Sequence, residues 1–355
     1  MNKVELFVNG KIYTGWIEVS ISRAINAVAG SFDISVSNNW ADETKGWIIS
    51  PLDECIIKID GQEIITGFVD QISSSFDGNS RTIRISGRDK TGNLVDCSYV
   101  GPASINNVSI ASLINKVIEK FGLTFVSEIN LPTKVDDFKV QQGESVFTFL
   151  ERVLRVRGLM LSSNPNGELV VSKIGEKRSS SSLEEGVNVL TCSFDFNGSN
   201  RFSKYIVKGQ SSGNDEFEES ETNQVFATFD DNEVKQYRPL IIIAEGNVSN
   251  ASALTRAKWE CINRASKSSV LKVSVKGWKK ENGDLWAVNE IVNFKSKYFG
   301  FDIDLLISSI NYKQDSQNGT ICEMTLERPD SYSTYDKPAK KTRDVWTELS
   351  PWLSK

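Results

Sequence analysis

Apolar and polar residues alternate in several short segments of the first hundred residues, which is the pattern of a strand with one buried face. Residues 4–8 and 32–36 show this alternation most clearly. Two further pairs of apolar segments flank the turns Asp60-Gly61-Gln62 and Asp77-Gly78-Asn79, and because glycine accepts a positive φ, both pairs are predicted to form β-hairpins. Short strands with frequent turns are typical of small barrels and sandwiches, so residues 1–100 are predicted to form a first β-domain of one of these two kinds.

The apolar period changes to that of a helix after residue 100. An apolar stripe begins after Ser109, the predicted N-cap, and stops before Gly122, which accepts the left-handed conformation at a helix end. The stripe consists of Ile110, Leu113, Ile114, Val117, Ile118 and Phe121. A second helix is predicted over 145–157 and a hairpin over 159–172. Residues 101–185 are thus predicted to be an α+β domain, ending in a Ser- and Glu-rich linker at 177–185.

Strand patterns return in the second half of the chain and are interrupted by one helix. The predicted strands are 189–196, 202–209, 270–278 and 290–294, with a last hairpin over 305–327. The helix carries the apolar stripe Leu254, Ala257, Cys261, Ile262 and Ala265, and the acidic segment 211–222 is predicted to be an exposed loop. We assign 186–215 and 285–330 to a second β-domain, 216–284 to an inserted α+β domain, and 331–355 to a C-terminal docking tail.

Two predicted hairpins have a similar layout. One runs through 72–89 and the other through 307–330, and each consists of a strand, a turn rich in Asp, Gly and Asn, and a returning strand. A duplicated domain and a chance similarity between two hairpins both explain this likeness. The predicted fold class is mainly β with α+β insertions.

Composition narrows the classes of function. The chain has 355 residues, a formal net charge of −5 and a pI of about 5.2, which disfavours broad binding to nucleic acid or acidic membranes. It contains 0 histidines, which excludes Ser-His-Asp and Cys-His nucleophiles and histidine-ligated metals. The 5 cysteines form no CxxC pair, so reduced thiols of a protein made in a cytoplasm are expected. No secretion signal or membrane-spanning run is predicted.

Two matches to functional motifs fail on their chemistry. Gly209-Gln210-Ser211-Ser212-Gly213 has the spacing of a nucleophile elbow, but an acidic segment follows it and the chain has no histidine to accept the serine proton. Asp195 begins a sequence like that of a calcium loop, but Ile206 stands where the bidentate glutamate is required. We therefore predict no catalytic, cofactor-binding or metal-binding residues, and no cofactor.

Carboxylates leave one enzymatic alternative open, a carboxylate-dependent hydrolase of the cell wall. Such an enzyme needs two acids on opposite sides of a cleft, and a sequence does not show that separation. The candidates are Asp136, Asp137, Glu144, Asp230 and Asp231. Acids at turns and ahead of helices are commonly solvated or capping groups, so a non-catalytic role is favoured.

The C-terminal segment has a composition of its own. A basic, proline-containing stretch at 337–343 precedes Val345, Trp346, Leu349, Trp352 and Leu353. Large apolar side chains of this kind are enriched at protein interfaces. We therefore predict that this tail docks onto a partner protein or onto its own trimer.

Four segments, in order along nearly the whole chain, resemble those of the Mu-like phage baseplate hub proteins, also called tail protein P. They are Gly87-Arg88-Asp89-Lys90-Thr91-Gly92-Asn93-Leu94-Val95-Asp96-Cys97-Ser98, residues 143–152, Tyr237-Arg238-Pro239-Leu240-Ile241, and 256–260 with Gly277-Trp278. One departure is conservative, since Asn93 stands where the family pattern has Asp.

This resemblance implies a structural protein without enzymatic activity. Its subunits are expected to form a homotrimeric ring in which each subunit has two similar β-barrels, here a first β-barrel domain at 1–100 and a second β-barrel domain at 186–215 with 285–330. The ring is expected to adapt a threefold central spike to a sixfold tail tube. The expected partners are the spike, the tail tube and the baseplate wedge proteins, while DNA only passes through the central channel and no stable membrane insertion is expected. The expected location is the tail baseplate of the virion, after assembly in the cytoplasm of the bacterial host.

Overall fold

The computed structural model describes residues 3–37, 49–78, 81–105, 107–131, 138–155, 159–210, 224–247 and 249–332. The chain divides into two compact units. Unit 1 comprises 1–192, 272–294 and 306–326, and unit 2 comprises 193–271, 295–305 and 327–355.

The N-terminal part of unit 1 is antiparallel β-structure. Its strands are β1 Val4–Val8, β2 Lys11–Tyr13, β3 Glu18–Ala24, β4 Ser31–Ser37, β5 Glu54–Ile59, β6 Gln62–Phe76 and β7 Arg81–Asp89. The two predicted hairpins are confirmed, and they share the long strand β6, which pairs with β5 on one side and with β7 on the other. The alternating burial of β1 and β5 agrees with the predicted period of two.

The next part of unit 1 is a small α+β layer. It contains the helices α1 Gly92–Asp96, α2 Ile110–Ile118 and α3 Val146–Arg155, a 3-10 turn Glu119–Phe121, and the strands β8 Ser104–Ile105, β9 Phe125–Ser127, β10 Phe138–Lys139, β11 Met160–Ser163 and β12 Leu169–Ser172. The predicted caps are confirmed: the Ser109 hydroxyl accepts a hydrogen bond from the backbone N–H of Ser112, and Gly122 has φ 64°. Apolar side chains of α2, α3 and β12 pack into one core.

The prediction of a linker at 177–185 is wrong. The short strands β13 Lys177–Arg178 and β14 Leu183–Glu184 lie there, and both pair with a later strand, β20 Glu290–Ser296. Leu183 is completely buried. The serine-rich composition did not indicate these strands, because they form by pairing with a distant segment and carry no local apolar pattern.

The remaining strands of the large sheet are β15 Val189–Phe196, β19 Ser269–Lys276, β21 Phe301–Asp315 and β22 Gly319–Glu327. The order along the main path of this 14-stranded sheet is β15-β19-β22-β21-β3-β4-β7-β6-β5-β1-β2, and β20 pairs with β21 beside that path. The predicted last hairpin, between β21 and β22, is confirmed.

Two sets of five strands in this sheet have the same order. When each set is numbered along the chain, β3, β4, β5, β6 and β7 form the first set, and β15, β19, β20, β21 and β22 form the second. In both sets the spatial order is first-second-fifth-fourth-third. The fourth strands have equal lengths of 15 residues, and the fifth strands have equal lengths of 9 residues. The likeness seen between two hairpins of the sequence therefore extends to five strands on each side.

Unit 2 contains a separate three-stranded sheet with one helix. Its strands are β16 Lys204–Gln210, β17 Gln224–Asp230 and β18 Pro239–Asn247, in the order β17-β16-β18, and its long helix is α4 Asn250–Lys267, with a 3-10 turn at Pro329–Tyr332. Tyr205, Val207 and Ala257 belong to the core in which one face of this sheet packs with α4. The helix was predicted, but the parallel pairing of β16 with β18 was not.

The predicted fold class is confirmed, since the chain is mainly antiparallel β-structure with small helical insertions. The closure of the two strand sets into barrels stays a prediction. The acidic segment 211–222, the acids Asp136 and Asp137, and nearly all of the tail 331–355 lie outside the described residues.

Candidate assembly surface

The segment 87–98, which carries the clearest family-like sequence, lies where β7 leaves the large sheet and enters α1. Gly87 has no room for a side chain, because an added Cβ would lie 2.2 Å from the carbonyl oxygen of Phe68 and 2.7 Å from the ring of Phe32. The Arg88 guanidinium donates to Asp70 at 2.6 Å and to Asp96 at 2.7 Å. These contacts raise the pKa of Arg88 and lower that of Asp96.

We expect the Gly87→Ala variant to lose about 1–3 kcal/mol of unfolding free energy, because the backbone and the Phe32 ring must move to admit a methyl group. Urea denaturation followed by fluorescence measures this change. Gly78→Ala is the matched control, since Gly78 lies in the turn of the same hairpin with no atom within 4 Å of an added Cβ. Equal losses in the two variants would contradict the steric explanation.

Asp89, at the end of β7, joins three parts of unit 1. Its carboxylate accepts hydrogen bonds from the backbone N–H of Gly30 at 2.7 Å, from the Ser163 hydroxyl at 2.5 Å and from the Arg23 guanidinium at 3.1 Å. Arg23 also donates to the carbonyl oxygens of Ile64 and Ser163. Asp89 is 1% exposed, and this burial raises its pKa, although Arg23, Ser163 and Gly30 offset part of the shift.

No pattern in the sequence pointed to Arg23 or Ser163, so the sequence analysis missed these two members of the cluster. The cluster fastens the β3–β4 connection and the β11–β12 hairpin to the end of β7. The buried carboxylate thus links three separate segments of the chain.

Each candidate acid of the hydrolase alternative that the structure describes has a basic side chain beside it. The Glu144 carboxylate accepts hydrogen bonds from Nε and Nη2 of Arg152 at 3.0 and 2.7 Å, and it also accepts from the backbone N–H of Gln141. Asp231 is buried against Arg201 at 2.7 Å. Asp230 is half exposed, and its nearest ion-pair contact is Lys204 at 3.7 Å.

The two failed motifs have ordinary structural roles. Gly209 lies inside β16, where a nucleophile elbow would need a sharp turn into a helix. Asp195 lies in β15, and Asn197 after it accepts the backbone N–H of Ser199 in a turn. Within the described ranges, no cluster of acidic, cysteine or histidine side chains has the arrangement of a metal site. No helix among the described residues is long and apolar enough to cross a membrane.

Several large apolar side chains of the described residues are exposed on strands. Phe76 at the tip of β6 is 83% exposed, and Leu190 in β15 is 55% exposed. The face of the unit 2 sheet opposite α4 carries Phe226, Ile241 and Ile243, all more than half exposed. Large exposed apolar groups on strands are typical of protein interfaces.

Comparison with known proteins gives a consistent result along the chain. Residues 3–89 match the N-terminal domain of the Mu phage baseplate assembly protein GpP-like family, and 91–173 match the second domain of the baseplate hub protein gp44-like family. Residues 249–335 match the fourth domain of the Mu phage baseplate assembly protein GpP. The baseplate hub protein gp44 of Escherichia phage Mu is 30% identical over 351 residues, covering 96% of this chain and 92% of that protein.

This chain belongs to the Mu-like phage baseplate hub protein family. It is thus a structural component of a phage or prophage tail baseplate, as the resemblance of its sequence segments indicated. The 43 kDa tail protein of prophage MuSo2 from Shewanella oneidensis is 31% identical, with a TM-score of 0.83 over 94% of this chain and 99% of that chain.

A more distant likeness concerns the fold alone. The c3393 protein of E. coli, a type VI secretion component described as similar in structure to the T4 tail proteins gp27 and gp5, is 9% identical. Its TM-score is 0.56 over 90% of this chain and 76% of that chain.

Proposed function

We propose that this hub protein forms a homotrimeric ring with pseudo-sixfold symmetry, which joins the central spike to the tail tube. The role is structural and non-enzymatic, and it requires no cofactor. The proposed partners are the spike, the tail tube and the baseplate wedge proteins, with DNA passing through the central channel. Assembly takes place in the host cytoplasm, and the C-terminal tail docks within the assembled baseplate.

The observation that carries this proposal is the pair of five-strand sets with the same spatial order. A subunit with two equivalent sets offers two equivalent positions around an axis. Three such subunits offer six, so a threefold ring can present a sixfold surface. Closed rings are built from one heterologous contact repeated by the rotation axis.

The domain division supports the same architecture. We propose two barrel domains, 1–100 and 186–215 with 285–330, an α+β domain at 101–185, an inserted α+β domain at 216–284 and the tail at 331–355. The first proposed barrel contains all five strands of its set. The second contains β15, β20, β21 and β22, while β19 of the same set lies in 216–284.

The native mass of the purified protein tests the proposal. Light scattering coupled to size exclusion is expected to give three times the 39.6 kDa mass of the chain. A strict monomer at tens of micromolar would contradict a self-assembling ring. Release of fragments from purified peptidoglycan by the same trimer would contradict the non-enzymatic role.

A further inference from the structure

β2, β15 and part of β6 each have an edge in the large sheet that no other described strand occupies. β2 and β15 end the strand order. β15 pairs with β19, and its first residue, Val189, also forms an isolated bridge with Glu185. β6 pairs with β5 over 62–68 and with β7 over 67–76. Along 70–76, the edge of β6 that faces away from β7 therefore has no partner strand in the described part of the chain.

The chain itself shows which strand fits such an edge. β21 is the fourth strand of its set, as β6 is in the other set, and β3 is a first strand, as β15 is. β3 pairs antiparallel with residues 309–314, in the second half of β21, from Ser309 opposite Ala24 to Gln314 opposite Val19. Inside one subunit, the first strand of one set thus pairs with the second half of the fourth strand of the other set.

We infer that β15 of one subunit adds antiparallel to residues 70–76 of β6 in the next subunit, repeating between copies the pairing of β3 with β21. This inference rests on the proposed ring and specifies its contact. The contact is heterologous, and each subunit contributes one β15 and one β6. Three copies would then alternate three internal and three intermolecular junctions around the axis.

Burial in the isolated chain agrees with this assignment. No residue of β15 is buried, and none of residues 70–76 is buried. In the junction that is already formed, Val19 and Ile21 of β3 and Tyr312 of β21 are buried. Phe76 lies on the open part of β6, and Leu190 lies on β15. Open strand edges are prone to uncontrolled pairing with other chains, and pairing with a second copy would cover both edges and satisfy their backbone hydrogen-bonding groups.

The faces of the two strands define which side chains would meet. Ser73 lies opposite Arg84, whose side chain is 63% exposed, whereas Ile72 lies opposite the fully buried Ile85. Because successive side chains alternate, Ser73 and Ser75 belong to the outer face of β6, and Ser74 belongs to the inner face. In β15, Ser193 is exposed between two half-buried residues, so it belongs to the outer face.

Disulfide trapping tests this pairing. The background variant carries Cys97→Ser and Cys192→Ser, which leaves only the buried thiols of Cys55, Cys261 and Cys322. Ser193→Cys is then combined with Ser73→Cys, Ser75→Cys or Ser74→Cys, and each protein is oxidised with copper phenanthroline. At least one outer-face combination is expected to give covalent dimers and trimers on a non-reducing gel, roughly tenfold more than the Ser74→Cys combination, because a disulfide requires both Cβ atoms on one face.

The controls separate this inference from the proposed function. Ser193→Cys alone is expected to give no covalent product, and light scattering before oxidation reports whether each variant is a trimer. Trimers that form no disulfide in any combination, or equally in all three, would overturn the strand pairing and leave the ring standing. Monomers throughout would overturn both, and products that stop at dimers would show a twofold contact in place of the head-to-tail one.

Discussion

Replacing Asp89 with alanine is expected to lower the unfolding free energy by about 3–5 kcal/mol, the usual cost of breaking a buried ion pair by removing one partner. The variant would leave the Arg23 guanidinium, whose side chain is 14% exposed, without its counter-charge. It would also leave the Ser163 hydroxyl and the Gly30 N–H without their acceptor. Urea or thermal denaturation of the purified variant measures the loss.

Asp33→Ala is the matched control for this prediction. Asp33 lies on the neighbouring strand β4 and accepts from Arg84 at 2.6 Å, a shorter distance than the 3.1 Å between Arg23 and Asp89. The Arg84 side chain is largely exposed, so solvent screens this pair and we expect a loss of about 0–1 kcal/mol. Similar losses in the two variants would show that burial does not determine the role of Asp89.

Replacing Trp278 with alanine is expected to lower the unfolding free energy by about 3–5 kcal/mol, the range for truncating a large aromatic side chain in a core. Trp278 is fully buried, and its indole N–H donates to the carbonyl oxygens of Lys313 at 3.1 Å and Ile321 at 2.9 Å. The indole thus contacts both strands of the β21–β22 hairpin and packs edge-on against Tyr312. Chemical denaturation monitored by circular dichroism measures the effect.

Two further variants separate packing from hydrogen bonding at this position. Trp278→Phe retains much of the buried surface but removes the donor, so a loss smaller than that of the alanine variant is expected. Tyr237→Ala, at a side chain that is 89% exposed, is expected to change stability by no more than about 0.5 kcal/mol. A Trp278→Ala variant as stable as Tyr237→Ala would show that the hairpin does not depend on the indole.

The residues that resemble the family mostly build the fold. Gly87 permits close packing of β7 against its neighbours, and Arg88 connects β7 to Asp96 of α1. Glu144, just before α3, binds Arg152 within that helix. Trp278 fastens the hairpin of the second strand set. On the function proposed above, the hub role depends on the repeated strand order of the subunit. The proposed assembly depends on strand edges, which no short motif encodes.

Local patterns in the sequence determined the elements of this protein. The period of two in 4–8, the capping by Ser109 and the helix end at Gly122 all depend on residues a few positions apart, which is why they were predicted correctly. The family also followed from sequence, because four segments resemble it in order along the chain.

Only the tertiary structure decided which elements meet. Arg23 and Ser163 are 140 positions apart, and no local pattern marks them as neighbours of Asp89. The strands hidden in 177–185 are ordered by β20, more than a hundred residues later. The common order of the two strand sets and their unpaired edges likewise arise from long-range backbone pairing, which depends on the whole folded chain and not on the composition of any one segment.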